Sequence, residues 1–451
     1  MHASIASILE ERLEGVHSEH AALLAYHWVR AEDGEKALSY TLQAADQAGK
    51  LYARPEAISH HWQALDVIER LPANVERYRV HAEVILSLII LPGCMPDEAA
   101  QARMLRHIDR ALENAALDGN DAVAARLQAA KGYYWDDEAL LLDSLARAEL
   151  SGDGSALADA EFRYGGYLGK HGRFEESLGH TARAVNLFGA QGDRLQQAIV
   201  MTYGGRCYGC RAGRLDESLV YARRAYEAGD ELNDARLRAL RAMEAEPHMY
   251  KGDWPAVVRA AERALPAACE IREWNAILCS SAWSAIAYLK LGKPGDAKRL
   301  LDRMFKEVPL SAVGAGSVHG VAFSRIALAQ LHLAVGDIGQ ALSVANMALE
   351  FAEQYRLGLE QGAIHRVLGE VYQAKGKRFE ADAAFRRSLE VLESIQSPPE
   401  LAQTLLAYGR FRRGDNALED RAMIERALAL FEKMNATGWI AEARAALHLE
   451  R

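Results

Sequence analysis

Seven glycines recur along this chain at intervals close to forty residues, and that rhythm constrains the fold more than any other feature. Gly172, Gly213, Gly252, Gly292, Gly336, Gly376 and Gly414 are separated by 41, 39, 40, 44, 40 and 38 positions. Five positions after each of the first six stands a compact residue: Ser177, Ser218, Val257, Ala297, Ala341 and Ala381. Seven further on come Ala184, Ala225, Ala264, Met304, Ala348 and Ser388. Seven residues is nearly two helical turns, so both positions lie on one buried stripe. A period of this length marks stacked helical pairs, each burying its apolar face on its neighbours. The glycine relieves the backbone where the first helix reverses into the second, in a left-handed C-cap.

The 451 residues exceed what one hydrophobic core supports, and a repeat array escapes that limit. Half of the residues are hydrophobic but only 8% are aromatic, which fits helices packed closely on small side chains. Net charge is -9, with acids and bases interspersed, so no field is built for a nucleic-acid backbone and no nucleic-acid partner is expected. Five cysteines (Cys94, Cys207, Cys210, Cys269, Cys279) form no disulfide framework and fit a reducing compartment. The opening MHASIASILEERLEG carries acids and reads as a helix, not a signal peptide. The longest apolar run, Val84 to Pro92, is too short to cross a bilayer, so a cytoplasmic protein without a membrane partner is expected.

Along the chain, residues 1–150 read as divergent helical repeats and 151–451 as the regular array, with SGDGS at 151–155 as the break. Helices are expected at Glu19 to Arg30, Lys36 to Ala53, Pro55 to Arg70 and Glu76 to Leu91, then in pairs from Leu157 onward. Arg194 to Arg211 and Asp234 to Tyr250 each read as one unbroken helix, and a terminal helix ends near Leu449. The expectation is an all-α, right-handed superhelical solenoid of about twenty helices in antiparallel hairpins.

The turn glycine followed by Ala or Ser down the second helix resembles the tetratricopeptide repeat, in a variety of about forty residues. The segment from Glu19 to Pro72, with GEKAL at 34–38 and EAI at 56–58, is similar to the start of the repeat region in bacterial ATPase-containing adenylate or guanylate cyclases and related ATPase-containing transcriptional activators. Residues 360–393 (EQGAIHRVLGEVYQAKGKRFEADAAFRRSLEVLE) and 425–447 (ERALALFEKMNATGWIAEARAAL) resemble its closing repeats. The resemblance implies that the repeats normally follow a nucleoside-triphosphatase switch domain. Residue 1 then falls in the interdomain region, and the chain is expected to be a portion of a larger protein, with a free-standing repeat protein as the alternative. No DNA-binding helix-turn-helix follows the last repeat, which favours the cyclase type of parent.

Candidate chemistry gives way to packing at every motif. GGYLGKH (165–171) has the wrong spacing for a phosphate-binding loop, and histidine stands where a hydroxyl belongs. The glycines of AVGAGSVHG (312–320) follow no strand and read as a hairpin loop. Cys207 and Cys210 form a lone CxxC on a helix, without a second pair to complete a metal site. Cys269 and Cys279 read as core. His60 and His61 are adjacent and point apart, and His17, His20 and His27 are scattered. Asp136, Asp137 and Glu138 read as an acidic helix start. No catalytic, cofactor-binding or metal-ligating residue is assigned, no cofactor is expected, and the chain is not expected to be an enzyme in itself.

The expected function is a protein-interaction and regulatory module that wraps a protein or peptide partner, or an ATPase or cyclase domain, on the concave face formed by the first helices of the pairs. Polar residues placed there include Arg163, Tyr167, Arg206, His248, Trp283, Arg325 and His332. The alternative is a sensor with a small-molecule inducer in the groove, which a closed interior lined by Trp254, Trp274 or Trp283 with polar neighbours would support. Homo-oligomeric scaffolding through an exposed Val84–Leu91 helix is a third.

Overall fold

The computed structural model describes residues 1–13, 20–91, 93–309, 317–412 and 417–448. His17, Glu19, Gly314, Gly316, Gly414 and Leu449 of the sequence pattern lie outside the described residues. All secondary structure among the described residues is helical. Two compact units divide the chain, Met1–Arg163 and Tyr164–Arg451.

The first unit comprises α1 (His2–Arg12), α2 (Ala21–Arg30), α3 (Gly34–Lys50), α4 (Arg54–Ile68), α5 (Val75–Ile89), α6 (Glu98–Leu117), α7 (Asp121–Trp135), α8 (Glu138–Ser151) and the first part of α9 (Gly154–Lys170). Side-chain caps set their starts. Asp33, Asn74, Asp97, Asn120 and Asp137 each accept a bond from the backbone N–H three residues on, at 2.8–3.2 Å. Such a cap contributes about 1 kcal/mol. Asp136 ends α7 in the left-handed conformation, and Asp137 caps α8, so the acidic run is a helix junction. Val84, Ile85, Leu86, Leu88 and Ile89 are buried in the core with Leu24, Trp28 and Met104. Of the apolar residues in that run only Ile90 is exposed, so the helix named for scaffolding presents no apolar face.

The second unit stacks hairpins, whose first and second members are here called helix A and helix B. The first pairs α9 with α10 (Phe174–Ala190). The second pairs α11 (Arg194–Val200), a π-helical segment Met201–Tyr208 and α12 (Gly209–Arg211) with α13 (Leu215–Glu231). In the third, α14 (Ala235–Leu240), a 3-10 turn Arg241–Glu244 and α15 (Ala245–Lys251) pair with α16 (Trp254–Glu270). The fourth is α17 (Trp274–Lys290) with α18 (Pro294–Glu307), and the fifth α19 (Val318–Ala334) with α20 (Ile338–Gln354). The sixth is α21 (Gly358–Ala374) with α22 (Arg378–Ser394), the seventh α23 (Pro398–Arg412) with α24 (Ala417–Lys433), and α25 (Thr437–His448) follows. This unit is an all-α solenoid.

The periodic positions do what their chemistry suggests. Gly172, Gly213, Gly252, Gly292, Gly336 and Gly376 all turn at φ between 71° and 81°, a region closed to most side chains. The residues five and twelve positions later are buried in every repeat. Ser177 Oγ donates to the Gly165 carbonyl at 2.7 Å, and a side chain at Gly169 would strike the Tyr208 ring at 2.3 Å. Gly165 and Gly169 of GGYLGKH are therefore packing glycines.

Two helices expected to be continuous are interrupted. Pro247 cannot donate to the Met243 carbonyl, and the chain tightens into the 3-10 turn just ahead of it. In the second repeat, one residue too many is absorbed as a π turn. Seven positions before the turn glycine, the other repeats carry Gly165, Ala245, Ala285, Ala329, Gly369 and Ala407, whereas here the position holds Arg206. Gly205 takes the small-residue place, against the Tyr221 ring, and Arg206 is swung out of register.

Candidate functional site

The second unit closes on itself. Its first three A-to-B turns meet the B-to-A turns near the C-terminal end, across 186 to 219 residues of sequence. A Cβ at Gly172 would meet Ile395, one at Gly213 would meet Met434 and Pro398, and one at Gly252 would meet the backbone of Gly438 at 2.9 Å. Ser397 Oγ donates to the Arg211 carbonyl at 3.2 Å, Asn435 donates to Asp216 at 3.2 Å, and Trp439 Nε1 donates to the Met249 carbonyl at 3.2 Å. Trp439 stacks on Phe431, meets Trp254 edge-on and lies under the Lys290 ammonium, which in turn binds Glu442 at 3.0 Å. Edges of successive superhelical turns thus touch along a seam.

Behind the seam the A helices carry a buried polar network. Arg206 donates to Glu246 of the next repeat, with both side chains sealed from solvent. His319 Nδ1 donates to Glu360 at 2.6 Å, and Arg366 donates to Glu400 at 2.6 Å. Arg211 of the second repeat lies 3.8 Å from Glu360 of the sixth. Opposite walls of the concave face are therefore in contact, and the groove is an interior.

Electrostatics follow from that enclosure. Burial opposes ionisation of Glu360, but His319 and Arg211 outweigh it and hold its carboxyl down to about 2. Burial likewise works against the Arg206 and Arg211 charges. Glu246 reverses it at Arg206, and Glu360 contributes at Arg211, so both stay charged. Burial, with Glu400 and Glu246 nearby, pushes the Tyr250 phenol well up. The Cys210 and Cys279 thiols are raised by the same burial and by Glu246, which makes them poor nucleophiles and poor metal ligands. All five cysteines are free, and among the described residues no group of three His, Cys, Asp or Glu is placed to hold a metal.

Several buried donors on the A helices have no hydrogen-bond partner among the described residues: Tyr250 OH, Trp283 Nε1, Ser284 Oγ and the Nε groups of Arg206, Arg211 and Arg366. Tyr250 and Trp283 are each 1% exposed. A buried donor left unpaired costs about 1–3 kcal/mol, which a hydrogen-bond acceptor would relieve.

Of the residues placed on the concave face from sequence, Arg206 lies in this network, and Trp283 is buried against Phe323. Tyr167 is buried against His171, and half-buried Arg163 pairs with Asp159 at 3.0 Å. Arg325 instead lies over the Phe351 ring, His248 is 4.0 Å from Glu244, and His332 is 3.7 Å from Asp337. Trp254 belongs to the seam and Trp274 is half-buried. Glu246, Tyr250, Glu360, Arg366 and Glu400 were missed. Arg206 was detectable as the arginine standing where the other six repeats have glycine or alanine.

In the first unit, two surface depressions of about 510 and 590 Å³ share Trp62 and Arg103. Arg103 lies 4.3 Å over the indole and binds Asp66 at 2.5 Å. His60 lines one side, with Tyr26, and Cys94 the other. No described helix is long and apolar enough to cross a membrane.

No protein-family model matches the chain, and no curated protein matches it. Among solved structures it is similar to a Rap protein complexed with Competence and Sporulation Factor, at 12% identity and a TM-score of 0.46, over 84% of this chain and 100% of that one. It is also similar to yeast Tom70, at 14% identity and a TM-score of 0.39, over 100% of this chain and 93% of that one. At these scores neither likeness carries an argument about function.

Proposed function

We propose that this chain is a non-catalytic regulatory binding module, and that the closed interior of the second unit senses a small, acceptor-bearing molecule. One observation carries this reading: Tyr250, Trp283 and Ser284 bury unpartnered donors on the A helices, the same layer whose carboxylates Glu246 and Glu400 are already engaged by arginines. A guest that accepts hydrogen bonds gains there without displacing an ion pair. Binding would favour the closed seam, and a protein partner, such as an ATPase or cyclase domain of the resembled family, would read whether the seam is closed.

Native mass spectrometry beside the denatured mass tests the sensor. A small added mass that Tyr250→Phe and Trp283→Phe both weaken supports it. A chain with no added mass, whose melting temperature is unmoved by carboxylates, phosphates and amides, rules it out.

The depression around Trp62 and Arg103 favours a second reading, a docking site for a protein or peptide. Tryptophan and arginine are the residues that most often anchor interfaces. Trp62→Ala should then abolish capture of a partner that Trp283→Phe leaves intact.

A further inference from the structure

The seam uses only part of the edge that forms it. Gly172, Gly213 and Gly252 are covered, whereas no atom lies within 4 Å of a Cβ built on Gly292, Gly336 or Gly376. The same edge therefore continues uncovered through the fourth, fifth and sixth repeats. It is apolar where it is bare. Leu291 and Val335 immediately precede two of these glycines and are 38% and 57% exposed, and Phe379, three residues after the third, is 91% exposed. A phenylalanine left almost wholly in water, on an edge that also exposes two aliphatic side chains, is an unusual surface for a closed unit. Lys293 and Lys375 stand exposed on these turns, as do Asp337 and the pair Lys377–Glu380 at 2.8 Å.

The opposite edge, made by the B-to-A turns, supplies the other half of the seam. Ile395 and Met434 on it fill the seam, and the residues ending helix B in two other turns, Leu232 and Tyr355, are 41% and 44% exposed. Charges of both signs surround them, with Glu231 paired to Arg194 and Glu353 and Arg356 exposed beside Tyr355. Both edges thus expose apolar side chains, and within the chain the two already pack together.

We infer that a second copy of this chain docks its B-to-A edge, at Leu232 and Tyr355, against the A-to-B edge at Leu291, Val335 and Phe379, repeating the internal seam between molecules. The contact joins two different surfaces, so it is head-to-tail and leaves one free edge at each end of the assembly. It is independent of any ligand in the interior.

Sedimentation velocity over a wide concentration range tests it. Mass rises with concentration as the exposed apolar edges pair. Phe379→Asp weakens association by about tenfold or more. Its circular dichroism and melting temperature stay those of the parent, since Phe379 supports nothing inside. Tyr355→Asp does the same from the other edge. Each variant keeps one intact edge, so mixing the two restores a single junction and yields a one-to-one dimer. A chain that stays monomeric throughout overturns the proposal, as does association that Phe379→Asp leaves unchanged. A mixture that fails to form the heterodimer also overturns it, because a symmetric contact would then be at work.

Discussion

Gly438→Ala is the most direct probe of the seam. Gly438 lies in the first turn of α25, where alanine is intrinsically the better helix former by about 1 kcal/mol. On propensity alone the variant would be more stable. The seam predicts the reverse. A Cβ at this position sits 2.3 Å from the Gly252 carbonyl oxygen, 2.7 Å from its carbon and 2.9 Å from its Cα, where ordinary contact begins near 3.4 Å. All three atoms are backbone, so no side chain can swing aside, and the two turns must part by more than an ångström. That separation breaks the bond from Trp439 Nε1 to the Met249 carbonyl and wets an indole that is 6% exposed. Losing one hydrogen bond and part of an aromatic burial costs about 3 kcal/mol, and subtracting the helix gain leaves about 2 kcal/mol. Urea unfolding gives the magnitude, and hydrogen exchange at residues 249–254 and 436–442 shows where it falls. Gly336→Ala is the control, with a left-handed φ of 81° but nothing overhead, so it shows backbone strain without faster exchange at the seam. If Gly438→Ala matches or exceeds the parent in stability, the seam does not exist in solution.

Three further outcomes follow from the packing. Arg206→Met should destabilise the second unit by about 3–5 kcal/mol, because Glu246 is left buried and alone, and adding Glu246→Leu should recover much of that loss in a double-mutant cycle. His81, whose Nε2 lies 3.2 Å from His107 Nδ1, is lowered by burial, and further by His107 and Arg110, to about 4. Its folded-state value is below the unfolded one, so its contribution is complete above pH 6.5 and is lost as the pH falls toward 4. The loss amounts to roughly 3 kcal/mol, measurable as a drop in melting temperature that His81→Gln removes. Phe385→Ala should cost about 3–5 kcal/mol, since the ring is fully buried against Tyr408 and Phe411, and calorimetry would read it.

The hairpins were legible in the sequence because each depends on a few local residues. A glycine at positive φ and a compact residue five places on act within one repeat, and their spacing survives in the linear text. The seam was not legible. Gly252 and Gly292 hold the same repeat position with φ of 73° and 71°, and only the first lies beneath another turn of the superhelix. Neither the glycine nor its spacing marks that difference. The interior fell between these cases. Arg206 breaks a glycine-or-alanine column and so announces itself, but Arg211 and Glu360 become neighbours only once the superhelix has closed. An open solenoid would leave its concave face free along its length, whereas here Arg211 and Glu360 bring opposite walls together.

A stacked array in which each hairpin touches only the next can lose its end repeats one at a time, as a thread unravels. The seam removes that freedom from the second unit. Repeats one to three rest on turns that come some two hundred residues later, so fraying of α25 exposes the Gly252 turn as well as its own helix. Contacts so distant in sequence normally carry a heavy entropic cost, but here the rigid hairpins between them have already fixed the path before the edges meet. The unit is therefore built in repeats, yet it should unfold as a single cooperative block.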